Sequence, residues 1–150
     1  MPLLIAAAVV LGLMCGSEFN VAAIAHPTIK RLPVQTHIPL RAALATLLGK
    51  VMPFWMGGST LLNLLLLLPF VHLSRDAWRL AAISGAIQVG AVIFSLIGPV
   101  PINNRITKWT PDELPPDWRS QENRWDIYHW FRTCFLIGAF TLLVVSIGVS

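Results

Sequence analysis

The sequence predicts an all-α fold, a four-transmembrane-helix bundle with a long structured loop between helices 3 and 4. Three observations lead there. Of 150 residues, 55% are hydrophobic and 12% charged, against about 25% charged in an ordinary soluble domain. Mean hydropathy is +0.68. The charges sit in a few short stretches, and long apolar runs separate them.

The runs can be taken in order. Leu3 to Ala25 contains one charge, Glu18, while Pro53 to Leu73 and Leu80 to Ile97 contain none. Phe131 to Val149 has Arg132 at its start and no charge after it. About 20 apolar residues cross a hydrocarbon core about 30 Å thick, so spans are expected at 3–25, 53–73, 78–98 and 127–149. Barrel strands would alternate, but these runs are continuous (Leu64 to Leu68 is unbroken leucine), and a helix satisfies its own backbone in lipid. No Lys or Arg precedes the first run, and its small residues lie inside it, which favours a span over a cleaved leader. The whole chain, 1–150, reads as a single membrane domain.

The connections differ in length. Ser74 to Ala77 is a tight link, so the second and third spans should form an antiparallel pair. Residues 26–52 contain Pro27, Pro33 and Pro39, then a helical stretch near Arg41 to Lys50 suited to an interface. Residues 99–124 carry five prolines together with Trp and charge, a composition that argues for an ordered long loop. Cys15 and Cys134 both fall within spans and read as buried thiols.

Basic residues set the expected orientation. Lys30, Arg31, Arg41, Lys50, Arg105, Lys108, Arg119, Arg124 and Arg132 flank the two long loops, and only Arg75 and Arg79 lie on the other side. The positive-inside rule then places the long loops in the cytoplasm and both termini outside. In a eukaryotic cell the membrane would be that of the endoplasmic reticulum. The net charge of +4 speaks to topology, and no nucleic-acid motif accompanies it. The expected surroundings are a lipid bilayer and a hydrophobic aromatic small molecule; the sequence does not set an oligomeric state.

Chemistry-bearing residues gather at one membrane face. Residues three and four apart share a helix face, so Glu122, Trp125, His129 and Arg132 form one stripe at the start of the fourth span. Trp, Tyr and Arg also anchor helices at headgroup depth, and Trp55, Trp78 and Trp130 fit that simpler role. Glu18 is a carboxylate inside a span, which marks a functional site by default. It precedes the His26-Pro27 pair by eight residues, roughly 12 Å of helix. The third span ends at Pro99-Val100-Pro101, which brings Asn103 to the same face. Glu18, His26, Asn103, His129 and Arg132 are therefore expected around one cavity. Asn63 and Gln88 read as interhelical hydrogen-bonding amides.

Pro101-x-Asn103-Asn104, a Trp-containing loop with Trp109, and Arg124-Trp125-x3-His129-x2-Arg132-Thr133 resemble a family of small four-helix membrane proteins that includes the fungal anthrone oxygenases. Gly16 to Pro27, with Glu18 and His26, is similar to that family's first span. The resemblance covers most of the chain, and its specific motifs lie between residues 99 and 133. Many members have no assigned activity. If activity follows, the resemblance implies a membrane-embedded oxygenase that oxidises an anthrone-type polyketide to an anthraquinone, with O2 as co-substrate.

An anthrone has an acidic carbon, and its anion can pass an electron to O2 without flavin or haem. On this reading His129 is the general base, and Arg132 and Asn103 stabilise the developing anion. Trp125, Trp109, Glu18 and His26 contact substrate, Trp125 by stacking. A metal stays open: His26, His129 and Glu18 have the composition of a two-His, one-carboxylate iron set, but no compact ligand motif is present. Two other classes stand beside the oxygenase. One is a non-enzymatic membrane scaffold or partner protein, and the other a small proton-coupled transporter using Glu18.

The orientation is testable by cysteine labelling at positions 113 and 76. Glu113→Cys should react with an impermeant maleimide from the cytoplasmic side and Asp76→Cys from the opposite side. Labelling of position 113 from outside would overturn the expected topology.

Overall fold

The computed structural model describes residues 1–150, and every regular element is helical apart from an isolated bridge between Thr110 and Glu113. We number five helices: α1 (Pro2–Ile29), α2 (Val34–Leu65), α3 (Arg75–Ile97), α4 (Pro99–Ile106) and α5 (Trp118–Gly148). α1, α3 and α5 are each long and apolar enough to cross a membrane.

Local chemistry explains the boundaries. Pro2 opens α1, where its missing N–H costs nothing. Within α1, residues Val21–Ala25 form a π-helical turn, and the His26 N–H reaches back five residues to the Val21 carbonyl. Ser74 caps α3 by accepting from the Ala77 N–H at 3.1 Å, and Asp76 sits in the first turn, where the helix dipole favours an anion. Gly98 breaks the chain between α3 and α4, and Pro99 starts the next helix.

α2 departs from the expected boundaries. It begins at Val34 and ends at Leu65, so the stretch 53–73 is not one helix. Pro39 and Pro53 lie inside it. A proline removes one backbone bond, and the remaining ladder carries the helix through. The leucine run instead leaves the helix at Leu66, three residues before Pro69, which disfavours helix for the residue ahead of it. The expected loop at 99–124 is also shorter than its composition suggests. Its first third is α4, α5 starts at Trp118, and only residues 107–117 connect them.

The core has two apolar clusters with a polar layer between them. The larger draws Leu11, Met14, Met52, Met56, Ala91 and Leu136 from α1, α2, α3 and α5. The smaller joins Val21, Ile38, Ala45, Ile102, Ile106, Trp109 and Trp125 at the end where α4 lies. At the far end of the bundle Ser150 Oγ lies 3.0 Å from Met1 Sδ, and Ser74 Oγ donates to the Val149 carbonyl at 2.5 Å. Met1, Ser74 and Ser150 therefore share one end.

Asn63 and Gln88 join α2 to α3. The Asn63 amide lies 2.8 Å from Ser84 Oγ, and Ser59 donates to Gln88 Oε1 at 3.1 Å. Asn63→Ala and Gln88→Ala should each lower stability in detergent by about 1 kcal/mol. Exposed Thr141→Ala should stay within about 0.5 kcal/mol. Chemical unfolding followed by circular dichroism measures both, and equal losses at all three positions would contradict the assignment.

Candidate functional site

Between the two apolar clusters lies a cluster of buried charge. Arg132 on α5 donates to Glu18 Oε2 on α1 twice, from one terminal nitrogen at 2.6 Å and from Nε at 3.1 Å. Glu18 is 1% exposed and Arg132 7%. The other terminal nitrogen of Arg132 reaches Ser95 Oγ at 3.4 Å.

His129 completes the cluster, with both ring nitrogens engaged. Its Nε2 lies 3.0 Å from the Glu18 carbonyl oxygen, which can only accept, so Nε2 carries the proton. Its Nδ1 then accepts from Arg132 at 3.0 Å. The imidazole fixes the guanidinium and the α1 backbone together, and neither nitrogen is free to take a proton from a substrate.

The π turn gives this cluster its geometry. In a regular helix Glu18 and His26, eight residues apart, would point about 80° apart. A wide turn absorbs one residue, which reduces the angle to about 20°. Both residues therefore face α5. His26 Nδ1 donates to Asp126 Oδ1 at 2.9 Å, and Lys30 pairs with the other Asp126 oxygen. His26 Nε2 is buried with no partner.

A half-open, mainly apolar cavity of about 190 Å³ borders the ion pair. Glu18, Asn103, Trp125 and Arg132 all line it, with Ser17, Ser95 and Met56 among others. Glu18 Oε1 has no hydrogen-bond partner in the protein, while Oε2 is held by Arg132. Asn103 is held by its Nδ2, which donates to the Ala45 carbonyl at 3.0 Å. α4 can approach α2 this closely because residue 49 is glycine; an added Cβ there would stand 3.3 Å from Asn103 Nδ2.

Other expected site residues lie elsewhere. His129 borders a second cavity of about 220 Å³ with Lys30, Asp126 and Trp130, and His26 lines neither cavity. Trp109 packs edge-on against Trp118, ring centroids 6.2 Å apart, inside the smaller apolar cluster. It is thus kept from the cavity by its own burial. Trp125 lines the cavity, and its ring is crowded by neighbours, with the His26 ring 4.5 Å away. His129 stacks on it at 4.6 Å and 13°, and the Arg41 guanidinium lies 4.5 Å from a ring centroid. These neighbours compete with the expected stacking of Trp125 on a flat ligand. Glu18, His26 and His129 do not present three free donors to one point, since His129 is saturated by Glu18 and Arg132. No three His, Cys, Asp or Glu side chains are grouped to hold a metal.

Several polar residues here are new relative to the sequence reading. Arg41 is 1% exposed beside Glu122, at 3.7 Å, and His37 meets Glu122 at 2.8 Å. The available signal was spacing: His37 and Arg41 are four apart, on one helix face. Asp126, four after Glu122 and three before His129, carried the same signal, and Ser95 carried none.

Residues 1–142 match a family model described as anthrone oxygenase. No curated protein and no solved structure matches the chain.

The ion pair can be tested apart from any activity. Removing one partner of a buried pair costs about 3–5 kcal/mol, while replacing both with uncharged groups is often near neutral. Arg132→Met alone should therefore destabilise the protein far more than Glu18→Gln combined with Arg132→Met. Melting temperatures of the four forms in one detergent supply the cycle, and additive losses would mean the two charges do not interact.

Proposed function

The chain belongs to the anthrone oxygenase family, and on that premise we propose that it is a membrane-embedded oxygenase that converts an anthrone-type aromatic ketone to its quinone with O2. The observation that carries this reading is the free Glu18 Oε1 at the wall of an apolar cavity, with the Arg132 guanidinium beside it. We take four membrane crossings as part of the reading, with α2 as the fourth. In favour, α2 runs antiparallel beside α3, and Met1, Ser74 and Ser150 gather at one end.

The proposed base is Glu18 in place of His129. A general base must reach the proton it abstracts, and Glu18 faces the cavity while both His129 nitrogens are engaged. Glu18 takes the proton from the acidic ring carbon, and the resulting enolate oxygen pairs with Arg132 and Asn103. The anion gives one electron to O2. The ring radical and superoxide combine at that carbon to form a C–O bond. Glu18 returns its proton to the peroxide and then takes the second proton from the carbon. The O–O bond breaks to leave a carbonyl, and the hydroxide released takes that proton from Glu18 to become water. One anthrone and one O2 thus give one quinone and one water. His129 acts through Arg132, as a positioning residue.

This arrangement is less suited to proton-coupled transport. A carboxylate that exchanges protons for cations must give up its partner in each cycle, and Glu18 is bound by a guanidinium that is itself held by His129 and Ser95.

The test is O2 uptake and quinone formation by protein in vesicles, with a panel of anthrones, with and without chelator, after subtraction of spontaneous oxidation. Glu18→Gln should lower turnover by about 100- to 10,000-fold, the usual contribution of a general base. His129→Gln keeps one donor and one acceptor and should retain most of the rate. If Glu18→Gln keeps full turnover while His129→Gln loses it, the base is His129. If no anthrone is turned over, the activity is wrong.

A further inference from the structure

Three of the cavity's lining residues on α2, Gly49, Pro53 and Gly57, are spaced four apart and so form one stripe on the helix. All three are exposed, as are Leu96 on α3 and Asn104 on α4 from the opposite side of the cavity. The cavity is thus closed at its Glu18–Arg132 end and open between α2 and α3. Nothing fills the gap: a Cβ added at Gly57 would meet no atom within 4 Å. Pro53 has no N–H, so the Gly49 carbonyl lacks its usual helical donor. The helix is therefore narrow and less tightly laced where it borders the opening.

The surroundings of the opening say what it faces. Phe54 and Ile97, the neighbours of Pro53 and Leu96, are 83% and 76% exposed, the largest values among the exposed large hydrophobics. Lys50 and Arg105, the neighbours of Gly49 and Asn104, are exposed at the other edge. The opening straddles the level where apolar surface gives way to basic side chains, which is the depth at which flat amphipathic rings settle in a bilayer. On the side of the connection 107–117, Ile102, Ile106, Trp109 and Trp125 pack into the smaller apolar cluster and close that direction.

We infer that the cavity is filled sideways from the bilayer, through the mouth between α2 and α3. The ligand class is a flat fused-ring aromatic already dissolved in the leaflet, its apolar edge passing Gly57 and Leu96 and its oxygenated edge turned toward Asn104 and the basic rim. This rests on the cavity being the substrate site, as proposed above. It adds a route and a selection rule. Partition into the membrane precedes binding, so charged, water-soluble analogues are poor ligands even when their ring shape fits.

Gly58 supplies the control. It is exposed, a Cβ there also meets open space, and it does not line the cavity. In a background with Cys15 and Cys134 replaced by alanine, Gly57→Cys and Gly58→Cys carry a nitroxide label in phosphatidylcholine vesicles. At position 57, collision with O2 should exceed collision with a water-soluble nickel chelate. Added anthraquinone should slow the label at 57 and leave that at 58 unchanged. Greater access for the nickel chelate at 57, or an equal response to anthraquinone at both positions, would overturn the route.

Activity gives a second, separable readout. Gly57→Phe should lower kcat/KM for a membrane-partitioned anthrone by at least about tenfold, the scale of a steric misfit in an apolar pocket, mainly through KM. Gly58→Phe should match the wild type. Equal rates in the two variants, with an active wild type, would discard the route and keep the activity. A slowed label at 57 in a protein that oxidises no anthrone would keep the route and discard the activity.

Discussion

Two opposite charges, Glu18 and Arg132, lie 2.6 Å apart in the middle of an apolar bundle, and much of the surrounding structure follows from keeping them there. Desolvating an ion pair costs several kcal/mol per ion, and mutual attraction repays it only when the other polar atoms are also satisfied. Arg132 accordingly meets Ser95 and His129 besides Glu18. His129 in turn needs an acceptor for its Nε2 proton, and finds it in the Glu18 carbonyl. One residue of α1 thus supplies both the countercharge and the anchor for α5. Hydrophobic groups of similar volume would often stabilise a core at least as well as such a pair. The pair is better explained by a function than by stability.

The layer also constrains what lies on either side of it. Trp125 is held between the imidazole of His129 and the guanidinium of Arg41, and an indole face attracts a cation. Trp125 thus lies between the Glu18 layer and the Arg41–Glu122–His37 group, and the Arg41 guanidinium nitrogens are buried there without hydrogen-bond partners. The same contacts hold Trp125 in place, so the ring serves as a fixed part of the cavity wall. Asp126, one residue on, points away from the cavity and joins Lys30 and His26. α5 thus presents two polar edges, one to each cavity, and the stacked rings keep them apart.

Much of this could be read from residues alone, and the misses have physical causes. The helical class and the apolar runs follow from composition, since long uncharged stretches leave few alternatives. The stripe Glu122, Trp125, His129, Arg132 followed from spacing in an unbroken helix, and all four are buried. The relation of Glu18 to His26 did not, because counting by 3.6 residues per turn assumes a regular helix and the turn at Val21–Ala25 is wide. Residues 26–52 read as a connection with a helical stretch near Arg41 to Lys50. That stretch is helical, but it starts earlier, at Val34, and runs on through Pro53 as one helix, because each proline removes only one bond of the ladder. The role given to His129 rested on its ordinary basicity. What decides that role is which atoms its nitrogens already hold, and spacing along one helix says nothing about a carbonyl on another.

Charge accounting connects the ion pair to the proposed chemistry. An apolar cavity penalises any step that creates net charge, because little solvent is present to stabilise it. A lone carboxylate base there would be costly before the reaction, and a lone guanidinium would be costly without its anion. Paired, they enter the step as a neutral unit. When Glu18 takes a proton it becomes neutral, and the enolate takes over its negative charge at a short distance. Arg132 then exchanges one anionic partner for another, held in place by His129 and Ser95 throughout. The net charge of the site is the same before and after, and the donor that stabilises the product anion is already oriented when it forms. A neutral His129 acting as base would instead become a cation beside Arg132, placing two like charges in one buried layer. The geometry that saturates His129 thus avoids the least favourable charge state, and it leaves the free carboxylate oxygen as the group able to accept a proton.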